Sequence, residues 1–130
     1  MLIEPPLDQF TRSYERGKPQ VVWTRLVADL ETPVSAMLKL SARRKNCFLL
    51  ESVEGGAVRG RYSIIGIEPD LLFRANGAKA EVNDSPATGE TYRPLGKPTL
   101  DALRDLIKES EIELPPSLPP MSAGVFGYLG

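Results

Sequence analysis

Between Asn46 and Val82 short apolar runs alternate with glycine-bearing breaks, and that pattern commits the centre of the chain to β structure. The run Cys47-Phe48-Leu49-Leu50 leads into Glu51-Ser52, then the segment VEGGAVRG, then RYSIIGI, which predicts a strand, a loop and a second strand. Two further strands are expected at 70–74 and 78–82, with Asn76-Gly77 as the turn between them. The stretch 83–98 is polar and carries proline and glycine, as a surface loop does.

Helices are expected on either side of this centre. Thr32 before Pro33 is a good start, because the hydroxyl can cap an orphan amide and proline at the first turn has no amide to leave unpaired. Val34, Met37, Leu38 and Leu40 then supply an apolar face over 33–44, and Arg43-Arg44-Lys45 would complement the dipole in its last turn. A second helix over 99–110 places Leu100, Leu103, Leu106 and Ile107 on one face, and a short helix is expected over 7–16 before Gly17-Lys18-Pro19. The β-branched run from Gln20 to Asp29 and the segment SAGVFGYL at 122–129 both read as strands, and LPPSLPP at 114–120 as a rigid connector. Together these elements give an α+β fold, a mixed or antiparallel sheet with flanking helices, in one domain spanning 1–130.

Charge and composition narrow the functions available. Sixteen basic against seventeen acidic residues give a net charge of -1 with no basic block, so nucleic acid is not an expected partner. The acidic, proline-bearing start MLIEPPLDQF is unlike a signal peptide and no segment has the length of a membrane span, which points to the cytoplasm. The lone Cys47 forms no internal bridge and is expected to be a buried thiol, again suiting a reducing compartment. Histidine is absent, which removes imidazole-based triads and histidine metal ligands. The glycines of VEGGAVRG lack the GK[ST] and helix start of a phosphate loop, and Gly124, Gly127 and Gly130 lack the spacing of a nucleotide fingerprint. No catalytic and no metal-binding residue is assigned.

The most informative pattern is Phe48-Leu49-Leu50-Glu51-Ser52-Val53-Glu54, followed by Arg61-Tyr62-Ser63-Ile64-Ile65-Gly66 and closed by Gly124-Val125-Phe126-Gly127-Tyr128. With this spacing the chain resembles the amino-terminal region of the large subunit, component I, of anthranilate synthase. The resemblance implies that 1–130 is a feedback-regulatory domain within a larger α/β sandwich, with a carboxy-terminal chorismate-binding domain outside this chain. It implies a parent lyase, dependent on magnesium, that takes chorismate and ammonia to anthranilate and pyruvate in tryptophan biosynthesis, with a glutaminase subunit as partner. No cofactor is expected within residues 1–130.

In that family the LLES segment forms part of the pocket for the inhibitor tryptophan, so the resemblance assigns effector binding to Ser52, with Glu51 and Leu50 beside it and Arg61 across the loop. The chemistry is coherent in its own right. An amino-acid effector needs an acceptor for its ammonium, which Glu51 offers, and donors for its carboxylate, which Arg61, Ser52 and backbone amides offer. On residue pattern alone Glu51 and Ser52 read first as the end of a strand and a solvated turn, and it is the resemblance that reverses this for Ser52. The similar amino-terminal lobe of aminodeoxychorismate synthase component I, and a free-standing amino-acid sensor, are the alternatives.

Overall fold

A computed structural model describes the backbone of residues 2–54 and 58–130, with side chains described outside 52–61. The chain divides into two compact units, one of residues 1–27 with 100–130 and one of residues 28–99. The described residues hold three helices and two small antiparallel sheets, the expected α+β class.

The second unit carries the β structure. Its helix α2, Pro33–Ser41, starts where Thr32-Pro33 requires: the Thr32 hydroxyl accepts from the Ser35 amide at 3.0 Å and the Ser35 hydroxyl accepts from the Thr32 amide at 2.9 Å. The helix stops short of the basic cluster expected in its last turn. Arg43 turns into the left-handed region with φ 90°, and Arg44 pairs instead with Glu68 at 2.7 Å. Lys39 is the cation of the last turn, and it is engaged by Glu31.

α2 packs on an antiparallel ribbon of β1, Phe48–Glu54, and β2, Val58–Gly66. Both strands run further than the sequence pattern suggested, and residues 55–57 between them lie outside the described residues. At the base of the ribbon Phe48 stands opposite Gly66, and its ring occupies the space a side chain at Gly66 would need. The glycine is therefore required by close approach. Cys47, just before β1, is half-buried rather than buried, and its thiol faces the Arg44 and Lys45 carbonyls.

The second sheet has the order β3, Leu72–Asn76, then β4, Lys79–Asn83, then the two-residue β5, Arg93–Pro94. Gly77, at φ 58°, makes the tight turn that Asn76-Gly77 announced. β5 falls in the stretch expected to be loop throughout. It pairs with β4 because Asn83 organises the excursion: its buried amide donates to the Gly89 carbonyl at 2.8 Å and accepts from the Ser85 amide at 2.9 Å. β4 is central, so Ala80 and Val82 are buried there.

The first unit contains α1, Leu7–Glu15, and most of α3, Thr99–Glu109. The expected strand from Gln20 to Asp29 is reduced to one antiparallel bridge, in which Trp23 and Glu4 exchange backbone hydrogen bonds of 2.8 Å. Residues 122–129 are not a strand either. β-rich composition makes a segment able to pair, but a strand needs a neighbouring ladder, and among the described residues none pairs with either segment beyond that bridge. The connector at 114–120 has no regular structure, as its prolines require; the Arg25 guanidinium donates to the Ser117 carbonyl there at 2.6 Å.

Large apolar side chains remain open in both units, among them Leu30 at 98% exposure and Tyr128 at 94%. No helix of the described residues is long and apolar enough to cross a membrane.

The contact at the ribbon base gives the first test. Gly66→Val forces a branched side chain into the Phe48 ring and should lower the unfolding free energy by about 1–3 kcal/mol. Urea midpoints measure it, and adding Phe48→Ala should return part of the loss; a parental midpoint for Gly66→Val would show that the ring moves aside freely.

Candidate functional site

The four residues assigned from the sequence all fall on the β1–β2 ribbon. Leu50 stands directly opposite Ile64, and Glu51 opposite Ser63. Successive residues of a strand alternate in direction, so Leu50 and Glu51 project from opposite faces, each sharing its face with its cross-strand partner. Leu50, Glu51 and Ser63 are exposed and Ile64 is half-buried.

Beyond this point the register slips. The next pairs are Val53 with Arg59 and Glu54 with Val58, so the single residue Ser52 spans the same length as Gly60, Arg61 and Tyr62. Irregularities of this kind break the ladder, increase local twist and re-aim side chains, and they recur beside binding sites. Ser52 and Arg61 thus occupy the two sides of one irregularity, although ten or so residues of chain would have allowed other registers. Their side chains lie outside the described residues.

A concavity of about 440 Å³ lies elsewhere in the same unit, with Lys45, Asn46, Arg74, Glu90 and Tyr92 in its wall. No motif announces it, because its residues come together only through the β3–β4 register and the turn around Asn83. The Arg74 guanidinium sits 3.7 Å from the centre of the Tyr92 ring, and its Nε donates to Glu81, the residue opposite it in the ladder, at 2.9 Å. Lys45 Nζ pairs with Glu90 Oε1 at 2.8 Å. Both cations of the wall are thus matched by carboxylates, which makes it a structural cluster before it is a receptor. Among the described residues no group of three histidine, cysteine, aspartate or glutamate side chains could hold a metal ion.

The Lys45–Glu90 pair sets the titration of both groups. The hydrogen bond from Lys45, and then its charge, hold the Glu90 carboxyl below its ordinary value of 4.5; the same contacts raise Lys45 above 10.5. The contribution of Glu90 is therefore present above pH 4.5 and lost as the pH falls through its depressed value. That of Lys45 is present below pH 10.5 and lost as the pH rises through its raised value. The pair is open to solvent, so salt weakens it.

Comparison with known proteins gives the chain its relatives. It is 48% identical over 124 residues to anthranilate synthase component 1 of Cereibacter sphaeroides, covering 95% of this chain and 25% of that protein. It is 39% identical over 129 residues to the component 1 of a Synechocystis species, covering 99% of this chain and 25% of the other. With the component 1 of Neisseria gonorrhoeae it shares 41% identity over 105 residues, covering 81% and 21%. No family model matches the chain, and no solved structure matches it. The chain spans about a quarter of the length of these curated relatives. By sequence it corresponds to an amino-terminal region of the larger subunits that it matches. Those subunits are anthranilate synthase component 1, to which the chain is similar over nearly all of its length, as FLLES, RYSIIG and GVFGYLG indicated.

Lys45→Met should return the Glu90 carboxyl toward 4.5, an upward move followed through the side-chain carboxyl carbon by NMR titration. An unchanged Glu90 titration would show that the pair does not persist in solution.

Proposed function

We propose that this chain is the tryptophan-sensing amino-terminal region of an anthranilate synthase large subunit. The whole enzyme, on this reading, is a cytoplasmic lyase of tryptophan biosynthesis that converts chorismate and ammonia to anthranilate and pyruvate. The observation that carries the reading is the 48% identity to an anthranilate synthase component 1 across 95% of this chain. Because that match takes in only 25% of the relative, the reacting groups are assigned to the remaining length, and so is magnesium. The described residues offer magnesium no acidic cluster, so no catalytic step is derived through it. A component 2 glutaminase supplies the ammonia.

Tryptophan binds, on this reading, around Ser52, with Leu50, Glu51 and Arg61 about it. The ribbon supports that assignment in two ways. Glu51 is an exposed carboxylate able to meet an ammonium, and the register slip leaves Ser52 on one strand and Arg61 on the other between the same two rungs, Glu51 with Ser63 and Val53 with Arg59. An arginine there suits a ligand carboxylate, which its planar fork recognises in two parallel hydrogen bonds. Inhibition then requires only that tryptophan bind one arrangement of the whole enzyme better than another.

Ser52→Phe in the full-length protein fills the slot and removes a polar partner. The tryptophan concentration for half-inhibition should rise roughly tenfold to a thousandfold, with the rate at zero tryptophan retained. Initial rates against rising tryptophan measure both; unchanged inhibition removes Ser52 from the effector site, and lost basal activity assigns it to folding. Residues 1–130 alone should form no anthranilate from chorismate, magnesium and ammonia. Fluorescence above that of a catalytically dead control preparation would overturn that division of labour.

A further inference from the structure

The ribbon also indicates how an amino acid would lie on it. Two residues before Glu51 and two after Ser63, Leu49 and Ile65 stand directly opposite each other. By alternation Leu49, Glu51, Ser63 and Ile65 share one face of the ribbon, while Leu50 with Ile64 and Phe48 with Gly66 share the other. The first face therefore carries a polar rung, Glu51 with Ser63, next to an apolar rung, Leu49 with Ile65, roughly 6.5 Å along the strands. The polar rung is exposed and the apolar one half-buried, so α2 does not seal the polar end. The register slip begins immediately beyond the polar rung. On the opposite face the pairs before the slip, Leu50 with Ile64 and Phe48 with Gly66, offer no polar side chain.

An aromatic α-amino acid has the matching layout, a cationic head beside a flat apolar ring. Resting on the effector reading above, we propose that the effector lies along the Glu51 face, with its ammonium shared by the Glu51 carboxylate and the Ser63 hydroxyl and its ring on Leu49 and Ile65. Ser63 is then a specificity-determining residue of the effector site. An ammonium has three donors to satisfy, and a carboxylate on one strand with a hydroxyl oxygen directly across from it supplies acceptors from two sides. A ligand lacking the amino group would leave Glu51 without its counterion, so the rung selects amino acids over the corresponding keto acids. On this placement Leu50, on the far face, is taken out of direct contact with the effector and supports the strand from behind.

The test uses the full-length protein with Ser63→Ala, reading initial rate and calorimetric binding against tryptophan. Half-inhibition and the dissociation constant should rise about three- to tenfold, with the rate at zero tryptophan unchanged and Ser63→Thr close to parental. Combined with Glu51→Gln, the alanine should add less than its separate fold-change, because both side chains serve one ammonium. Ser63 is exposed, so alanine should keep the parental melting temperature; if it does not, the near-isosteric Ser63→Cys, a weak acceptor, gives the deciding titration. A titration for Ser63→Ala that superimposes on the parent while Ser52→Phe shifts overturns the assigned face and leaves the effector reading standing. If Ser52→Phe also superimposes, the effector reading fails and this inference falls with it.

Discussion

Backbone pairing between β1 and β2 is the interaction on which the placing of α2 and the proposed site depend. The ladder fixes which side chains share a face, places α2 against the ribbon and brings the two halves of the motif to one level. A shift of one residue would move Glu51 and Leu50 to each other's faces. Two local features pin the register. Gly66 admits the Phe48 ring at the base, and the slip after Glu51 takes up the two additional residues of β2. The slip sits beside Ser52, so the feature that ends regular pairing also bounds the proposed site.

Side-chain packing does less of this work than in a typical domain. Among the described residues the buried apolar positions are Ala80, Val82 and Ala102, all small or medium in size. Large side chains such as Val27, at 88% exposure, stay in water, where each forgoes the roughly 1.5–3 kcal/mol that full burial would contribute. Exposed ion pairs such as Asp8 with Arg12 and Asp101 with Arg104 do not replace that term, since such pairs are typically worth about 0–1 kcal/mol. Hairpins and capped helices, stabilised by contacts near in sequence, are accordingly the best formed elements of the chain.

That division explains what the sequence made legible. The Thr32-Pro33 cap, the Asn76-Gly77 turn and the apolar spacing of α3 are local signals, and each element formed where its signal lay. The segments around Trp23 and at 122–129 carried strand-like composition, but a strand is a relation between two segments and no local signal names the partner. The expected C-terminal end of α2 lies too late because the basic cluster Arg43-Arg44-Lys45 suits a last helical turn, whereas the backbone turns at Arg43. For the site, FLLES and RYSIIG named the residues and left their relation open. Ser63 enters the proposed site only because the register sets it across from Glu51, and the Arg74–Tyr92 stack depends on pairing that composition does not reveal.

A ligand that bridges the two strands acts on that same register. Holding Glu51 and Ser63 to one ammonium is possible only while the two residues stand opposite each other, so effector binding and correct pairing of β1 with β2 stabilise one another. On the proposed reading the coupling is reciprocal: whatever favours this register elsewhere raises affinity for the ligand by the same factor. A site built across a two-stranded ribbon, next to an irregularity, is well suited to that task. The ladder is strong enough to define the rung and short enough that one bound ammonium is a sizeable addition to it. Buried in a wide sheet, the same pair would be held by its neighbours whether or not a ligand was present, and binding would report nothing to the rest of the protein.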